Sequence, residues 1–340
     1  MIILAFESVF DISYIINQNG AVNVEPIFLK PVLQEKIWGG NKLESEFKFD
    51  LPSDNIGESW SISAHPNGVS RIESPEEFKG MPFDQFYNEH RTFFGDLNDD
   101  VFPLLIKILD AKEDLSVQVH PDDVYGKEHE GELGKTECWY IIDAEPGAQI
   151  VYGHNAQTKE EFQQLVEEGR WDELLRRVPV MPGEFYYVPH GTIHAIGGGV
   201  MILETQQSSD TTYRVYDYGR TDDQGNEREL HIQQSIDVSL IPHQDPDQVA
   251  DATEQEGGII THFLTNDYFK VFKWEASGDL NVPVTNDVYL ATVIAGAGEL
   301  IVDGKAYPLI KGNSFVTPAS ASEIKVKGEN ITLIASNPIH

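Results

Sequence analysis

The chain has 340 residues, enough for two or three domains. Its 56 acidic and 24 basic residues leave a net charge of −32, which argues against a nucleic-acid or anionic-membrane partner and leaves any anionic ligand to a few local lysines and arginines. The one cysteine, Cys138, excludes an intrachain disulfide and suits a reducing cytoplasm, and no apolar run approaches the roughly 20 residues of a membrane span.

Residues 1–24 stand apart as an N-terminal extension. Met1 to Phe6 are apolar, but Glu7 and Asp11 follow and no basic residues precede, so the pattern is not that of a signal peptide. Residues 25–243 form a strand-rich unit with helical insertions near 75–95 and 158–177. Ser59 to Ser63 alternate as a strand, and His65 to Gly68 turn the chain. Ser74 followed by Pro75, Glu76 and Glu77 signals a helix start, and Phe83 to His90 form a second short helix. Leu104 to Leu109 are a buried strand, Leu115 to His120 the next, and two more flank Glu145 to Gly147. Thr158 to Glu161 form a capping box that opens a helix over Glu160 to Glu168, and Trp171 to Leu175 follow as another. Strands return at 183–189, 202–206 and 212–216. Residues 244–258 are polar and acidic and predict an exposed linker. Residues 259–340 are strand and turn throughout, and the composition as a whole is mainly β.

The tail carries a weak repeat. The spacing of Gly183 and Pro189 recurs in Gly312 and Pro318. Gly191 and His194 follow the first proline, whereas the stretch from Ala319 to Glu323 after the second holds no histidine. Two related β-barrel-like units are expected, one of them without ligands.

The chemistry concentrates in the first unit. Gln118 and His120 are two apart in a strand and share a face. Glu137, entering the apolar stretch Trp139 to Ile142, and His194, after a tight turn, reach the same point from neighbouring strands. Two imidazoles, a carboxylate and an amide oxygen make an open, catalytic type of metal site; spacing alone also allows two hydrogen-bonded core histidines. Lys135 shares the face of Glu137 and either handles an anion or a proton, or is solvated. Arg214, among aromatic and apolar residues, points into a cleft or pairs with an acid on the outer face. Glu204 is an inward carboxylate or an ordinary pleat residue. Gly197 to Gly199 read as a flexible hairpin near the site. No phosphate loop, nucleophile elbow or metalloprotease motif is present.

Several segments together carry a resemblance: Glu25 to Pro31, Trp38 to Gly40, Gly57 to Trp60, Ser63 to Ser70, Leu115 to Asp123, Gly134 to Ile142, Pro189 to His194 and Leu203 to Asp217. From about residue 25 onward the chain resembles the type I mannose-6-phosphate isomerase family in its short bacterial form, within the cupin superfamily. Gly183, Pro189, Gly191 and His194 match the second cupin motif, and Gln118 stands where many cupins place a histidine. The resemblance implies cupin (RmlC-like) β-barrels or jelly rolls and a zinc ion (Zn2+) held by His120, Glu137 and His194, with Gln118 ranked last. It implies Arg214, Lys135 and Glu204 as catalytic residues and no organic cofactor. The implied reaction is reversible isomerisation of D-mannose 6-phosphate and D-fructose 6-phosphate through a zinc-stabilised cis-enediol. The base stays open among Glu204, a metal-bound water and a histidine. The alternatives are a cupin isomerase of glucose 6-phosphate and a non-catalytic sugar-binding cupin. A cytoplasmic monomer or weak homodimer, with a sugar phosphate as its small-molecule partner and neither nucleic acid nor membrane, completes the expectation.

Overall fold

A computed structural model describes residues 25–221 and 224–339; the expected extension over 1–24 lies outside the described residues. The described strands form four sheets whose pairs all run antiparallel, with short helices between them, in a cupin-like topology. The six-stranded sheet runs in the order Phe185–Val188, Glu137–Ala144, Val200–Gln207, Leu104–Ala111, Val32–Gly40, Ile56–Ile62. A five-stranded sheet packs against it, ordered Tyr213–Tyr216, Val117–Val119, His194–Ile196, Gln149–His154, Leu175–Pro179. Trp139, Ile141 and Ile202 from the first sheet meet Ile150, Tyr152 and Ile196 from the second in the core between them.

Alternate residues of the six-stranded sheet face the other way. Cys138, Tyr140 and Leu203 pack against Phe263, Val271 and Ile334 of an eight-stranded sheet built largely from C-terminal strands. A third core, with Trp274, Phe315 and Leu333, lies between that sheet and a four-stranded one. Helices cover the outer face of the five-stranded sheet, where Phe162, Leu165 and Leu174 meet Val117, Val119 and Val215. Leu104–Ala111 and Val200–Gln207 are buried along their whole length, as strands covered on both faces must be.

The N-terminal and C-terminal parts of the chain share a sheet. Ile27–Lys30 and Arg71–Ser74, from the N-terminal part, extend the eight-stranded sheet, with Ile27 opposite Val316. Ser74 is therefore committed to a ladder opposite Phe28, and the helix start expected there reduces to a 3-10 turn over Glu76–Phe78 without a side-chain cap. The helix Phe83–Glu89 follows it. Lys159–Glu167 and Trp171–Leu174 lie within a residue of the expected helices, and the Thr158 hydroxyl accepts the Glu161 N–H at 3.2 Å as the capping box requires. Within the expected linker, Asp251–Gln255 instead form an exposed strand paired with Gly258–Thr265; its polar composition is that of a solvated sheet edge.

The repeat has a structural counterpart. Gly183 (φ +94°) and Gly312 (φ +96°) both take the left-handed conformation, each just before a short strand, Phe185–Val188 and Ser314–Val316. The turn at Gly197 is packed: a Cβ there would lie 2.0 Å from the Gln149 carbonyl oxygen, so close backbone approach, rather than flexibility, accounts for that glycine. Among the described residues no helix is long and apolar enough to cross a membrane.

Candidate metal centre

Three strands of the five-stranded sheet align the first side chains. Gln118 sits opposite His194 on one side and Arg214 on the other, so all three share a face. His120 follows the end of Val117–Val119. Glu137 comes from the facing six-stranded sheet, where it opens Glu137–Ala144 opposite Gln206. The centre thus bridges two sheets, rather than being gathered from neighbours in one.

His120, Glu137 and His194 are at most 1% exposed. Their potential ligand atoms all lie within 4.8 Å of one another, the one such group of His, Cys, Asp and Glu among the described residues. His120 Nε2 is 3.4 Å from Glu137 Oε2, and His194 Nε2 is 3.3 Å from Glu137 Oε1. Each ring's other nitrogen is held by backbone: His120 Nδ1 donates to the Thr211 carbonyl at 2.9 Å and His194 Nδ1 to that of Thr192 at 2.8 Å. These bonds leave the Nε2 lone pairs aimed at the Glu137 carboxylate. Neither oxygen of that carboxylate has an aligned hydrogen-bond donor among the described residues. A buried carboxylate without donors, between two imidazole lone pairs, fits a divalent cation.

Lys135 stands beside this group, 3.4 Å from Glu137 Oε2 and 3.3 Å from His120 Nε2. Burial, together with the Lys135 charge, lowers the His120 pKa to about 3. Burial also lowers that of His194. Burial works against the charged form of Glu137, but Lys135 and the two histidines outweigh it and hold the carboxyl well below its usual range. Neutral imidazoles and an ionised carboxylate are the forms that ligate metal. Gln118 Nε2 lies 3.3 Å from His194 Nε2, which places Gln118 at the centre, with its amide nitrogen toward the ring.

A charged row continues across the inner face of the six-stranded sheet. Glu204 is opposite both Trp139 and Lys107. It accepts from the Trp139 indole at 3.0 Å and lies 3.7 Å from the Lys107 ammonium. Lys107 is also 3.9 Å from Glu58, which accepts from Trp60 at 2.7 Å and pairs with Lys36 at 3.3 Å. Burial and the Glu137 charge raise Glu204 to about 7, with Lys135 and Lys107 opposing. For Glu58 the penalty of burial is outweighed by Lys107 and Lys36, and the carboxyl sits at about 2. Lys107 and Glu58 were missed as site residues. The available signal was a lone lysine inside the apolar stretch Leu104 to Leu109, which a strand covered on both faces tolerates only when the charge is paired.

Arg214 is half-buried. Its guanidinium donates to the Glu229 carbonyl at 2.8 Å, while its Nε has no partner among the described residues. Arg220 and Arg228 lie near it, both bound to the Asp217 carboxylate at 2.5 and 2.6 Å.

A family model described as phosphomannose isomerase type I, catalytic domain matches residues 27–143, and one described as mannose-6-phosphate isomerase, cupin domain matches residues 259–338. A mannose-6-phosphate isomerase of Streptococcus mutans is 51% identical over 317 residues, covering 92% of this chain and 98% of the relative. The chain belongs to the type I mannose-6-phosphate isomerases. A second relative of that name, from Bacillus subtilis, is 48% identical over 308 residues, covering 90% of this chain and 97% of its own length. The crystal structure of the mannose 6-phosphate isomerase from Bacillus subtilis superposes with a TM-score of 0.89 at 46% identity, covering 92% of this chain and 99% of that one.

Proposed function

We propose that the chain interconverts D-mannose 6-phosphate and D-fructose 6-phosphate reversibly with a divalent metal held by His120, Glu137 and His194. The observation that carries this reading is the buried Glu137 carboxylate, set between two Nε2 lone pairs with no aligned hydrogen-bond donor among the described residues. It stands in a chain 51% identical to a relative named for that activity. We take the metal to be zinc, which nitrogen and oxygen ligands with an open position suit. When bound, the ion supplies Lewis-acid polarisation of the sugar's oxygens at C1 and C2.

The chain's own residues have separate tasks. Aldose–ketose isomerisation removes a proton from C2 of the open-chain sugar and returns one to C1 through a cis-enediol. Glu204 is the base: it is buried on the inner face, two residues from the partner of Glu137, and its raised pKa suits proton transfer near neutrality. Lys107 and the Trp139 indole fix its carboxylate. Lys135 adds a fixed positive charge beside Glu137, where oxyanion character develops. Arg214 offers its unpartnered Nε to an anionic oxygen of the sugar phosphate.

The finer architecture belongs to the same reading: two cupin-type barrels, the second retaining the Gly312–Pro318 strand without ligands, in a cytoplasmic protein that is a monomer or weak homodimer. The test is Arg214→Ala assayed on mannose 6-phosphate with metal counted. A fall in kcat of roughly 10²-fold with metal retained is expected; near-normal turnover removes Arg214 from the chemistry.

A further inference from the structure

The His120 ring is oriented by the carbonyl of Thr211. That carbonyl lies in residues 208–212, which belong to no strand or helix and so have no ladder to hold them. The Pro103 carbonyl accepts the Ser208 N–H at 2.7 Å and Asn67 donates to the Asp210 carboxylate at 2.9 Å, but the densest support comes from a second irregular segment, residues 130–136, which follows the helix Asp123–His129. Glu132 Oε2 accepts three hydrogen bonds from the loop: the Ser209 hydroxyl at 3.1 Å, the Asp210 N–H at 3.0 Å and the Thr211 hydroxyl at 3.1 Å. Its other oxygen lies 3.5 Å from His65 Nε2. Close by, the Tyr213 hydroxyl donates to Glu130 at 2.8 Å. The Gln206 amide donates to the Ser209 carbonyl at 2.7 Å but does not touch Asp210 or Thr211.

We propose that Glu132 is a positioning residue for the metal centre: by gathering three donors of residues 209–211 on one carboxylate oxygen, it fixes the Thr211 carbonyl and hence the tautomer and aim of His120. This inference rests on the metal reading above. The Thr211 carbonyl is the direct partner of the ligand, the kind of group whose loss weakens metal binding by about 10- to 100-fold, and Glu132 acts on it from one step further out.

The test is zinc affinity, measured by competition with a chromophoric chelator, on the full-length parent, Glu132→Ala, Glu132→Leu, Glu132→Gln and Thr158→Ala. Thr158→Ala removes a helix cap away from the centre and serves as a stability control. Unfolding midpoints of the metal-free proteins are recorded alongside. Glu132→Ala is expected to bind zinc at least about 10-fold more weakly than the parent, beyond any change in Thr158→Ala. Glu132→Gln, which keeps the single oxygen that accepts all three bonds, is expected to recover most of the loss, and Glu132→Leu, which fills the space without an acceptor, decides the matter if the alanine variant does not fold. Parental affinity in Glu132→Ala, or in Glu132→Leu where only that variant folds, overturns the proposal while leaving the metal reading intact. So does a loss no greater than that of the control. A parent that binds no zinc overturns both.

Discussion

Glu137 is fully buried, its carboxylate has no aligned hydrogen-bond donor among the described residues, and Lys135 is the one cation beside it, so a divalent ion that binds only the folded state adds stability there. Metal removal is therefore predicted to destabilise the protein: chelated protein should unfold at lower temperature than zinc-loaded protein, as measured by calorimetry with metal content determined in parallel. Glu204 supplies a second prediction at this scale. A base must be ionised to act, so kcat/KM should rise with pH through the ionisation of Glu204, whose pKa burial raises above the ordinary carboxylate range. Glu204→Gln should lower kcat by roughly 10²- to 10⁴-fold. A rate independent of pH across that ionisation, or a glutamine variant with parental kcat, assigns the proton to another group. In stability the sign is opposite. A carboxyl whose folded pKa is raised above its usual 4.5 favours the folded state at low pH, and that contribution fades as pH rises through about 7.

His120, Glu137 and His194 were legible in the sequence because each is a polar residue in or beside apolar strand, and Lys135 because it stands two residues before Glu137 and shares its face. Lys107 carried the first of these signals, submerged in Leu104–Ala111. Glu132 carried none: its partners are 77 to 79 residues away, between two loops whose juxtaposition no local pattern encodes.

At the scale of elements, legibility followed burial. Lys159–Glu167 announced itself because a capping box and the apolar spacing of Phe162, Leu165 and Val166 agree. Thr158→Ala is predicted to cost about 0.5–2 kcal/mol in denaturant unfolding and to leave zinc affinity unchanged. Lys42–Phe47, Asp123–His129 and Ile232–Val238 went unread, and length alone does not account for it, since Phe83–Glu89 and Trp171–Leu174 also have seven residues or fewer and were read. The strand Arg71–Ser74 was masked by a serine–proline pair that imitates a helix start. Its pairing with Ile27–Lys30 is set by tertiary contact.

For the whole molecule, the C-terminal strands form a wall of the catalytic unit. Phe263 stacks on Phe185 at 4.5 Å with the rings 6° from parallel, and the Thr205 hydroxyl meets that of Ser336 at 3.0 Å across the same interface. Ile27–Lys30 lies between Ser314–Val316 and Arg71–Ser74, so removing the C-terminal strands takes away one of its two neighbours. A chain ending at residue 257 is predicted to lose cooperative unfolding and to bind hydrophobic dye, because Cys138, Tyr140 and Leu203 lose their cover. A truncated chain that unfolds cooperatively would show that the two units are energetically separate. The repeated glycine–proline spacing corresponds to two short strands, Phe185–Val188 and Ser314–Val316, each following a glycine in the left-handed conformation. The stacking of four sheets around three cores could not be read from the sequence, since strands buried on both faces lose the alternation that reports a layer.

The central claim is a metal-dependent isomerase built on Glu137 and two histidines, and one purified batch tests it. Mannose 6-phosphate conversion is measured before chelation, after chelation and after zinc is restored, with bound metal counted at each stage. The account predicts that activity disappears with the metal and returns with zinc. Full activity in demonstrably metal-free protein would contradict it.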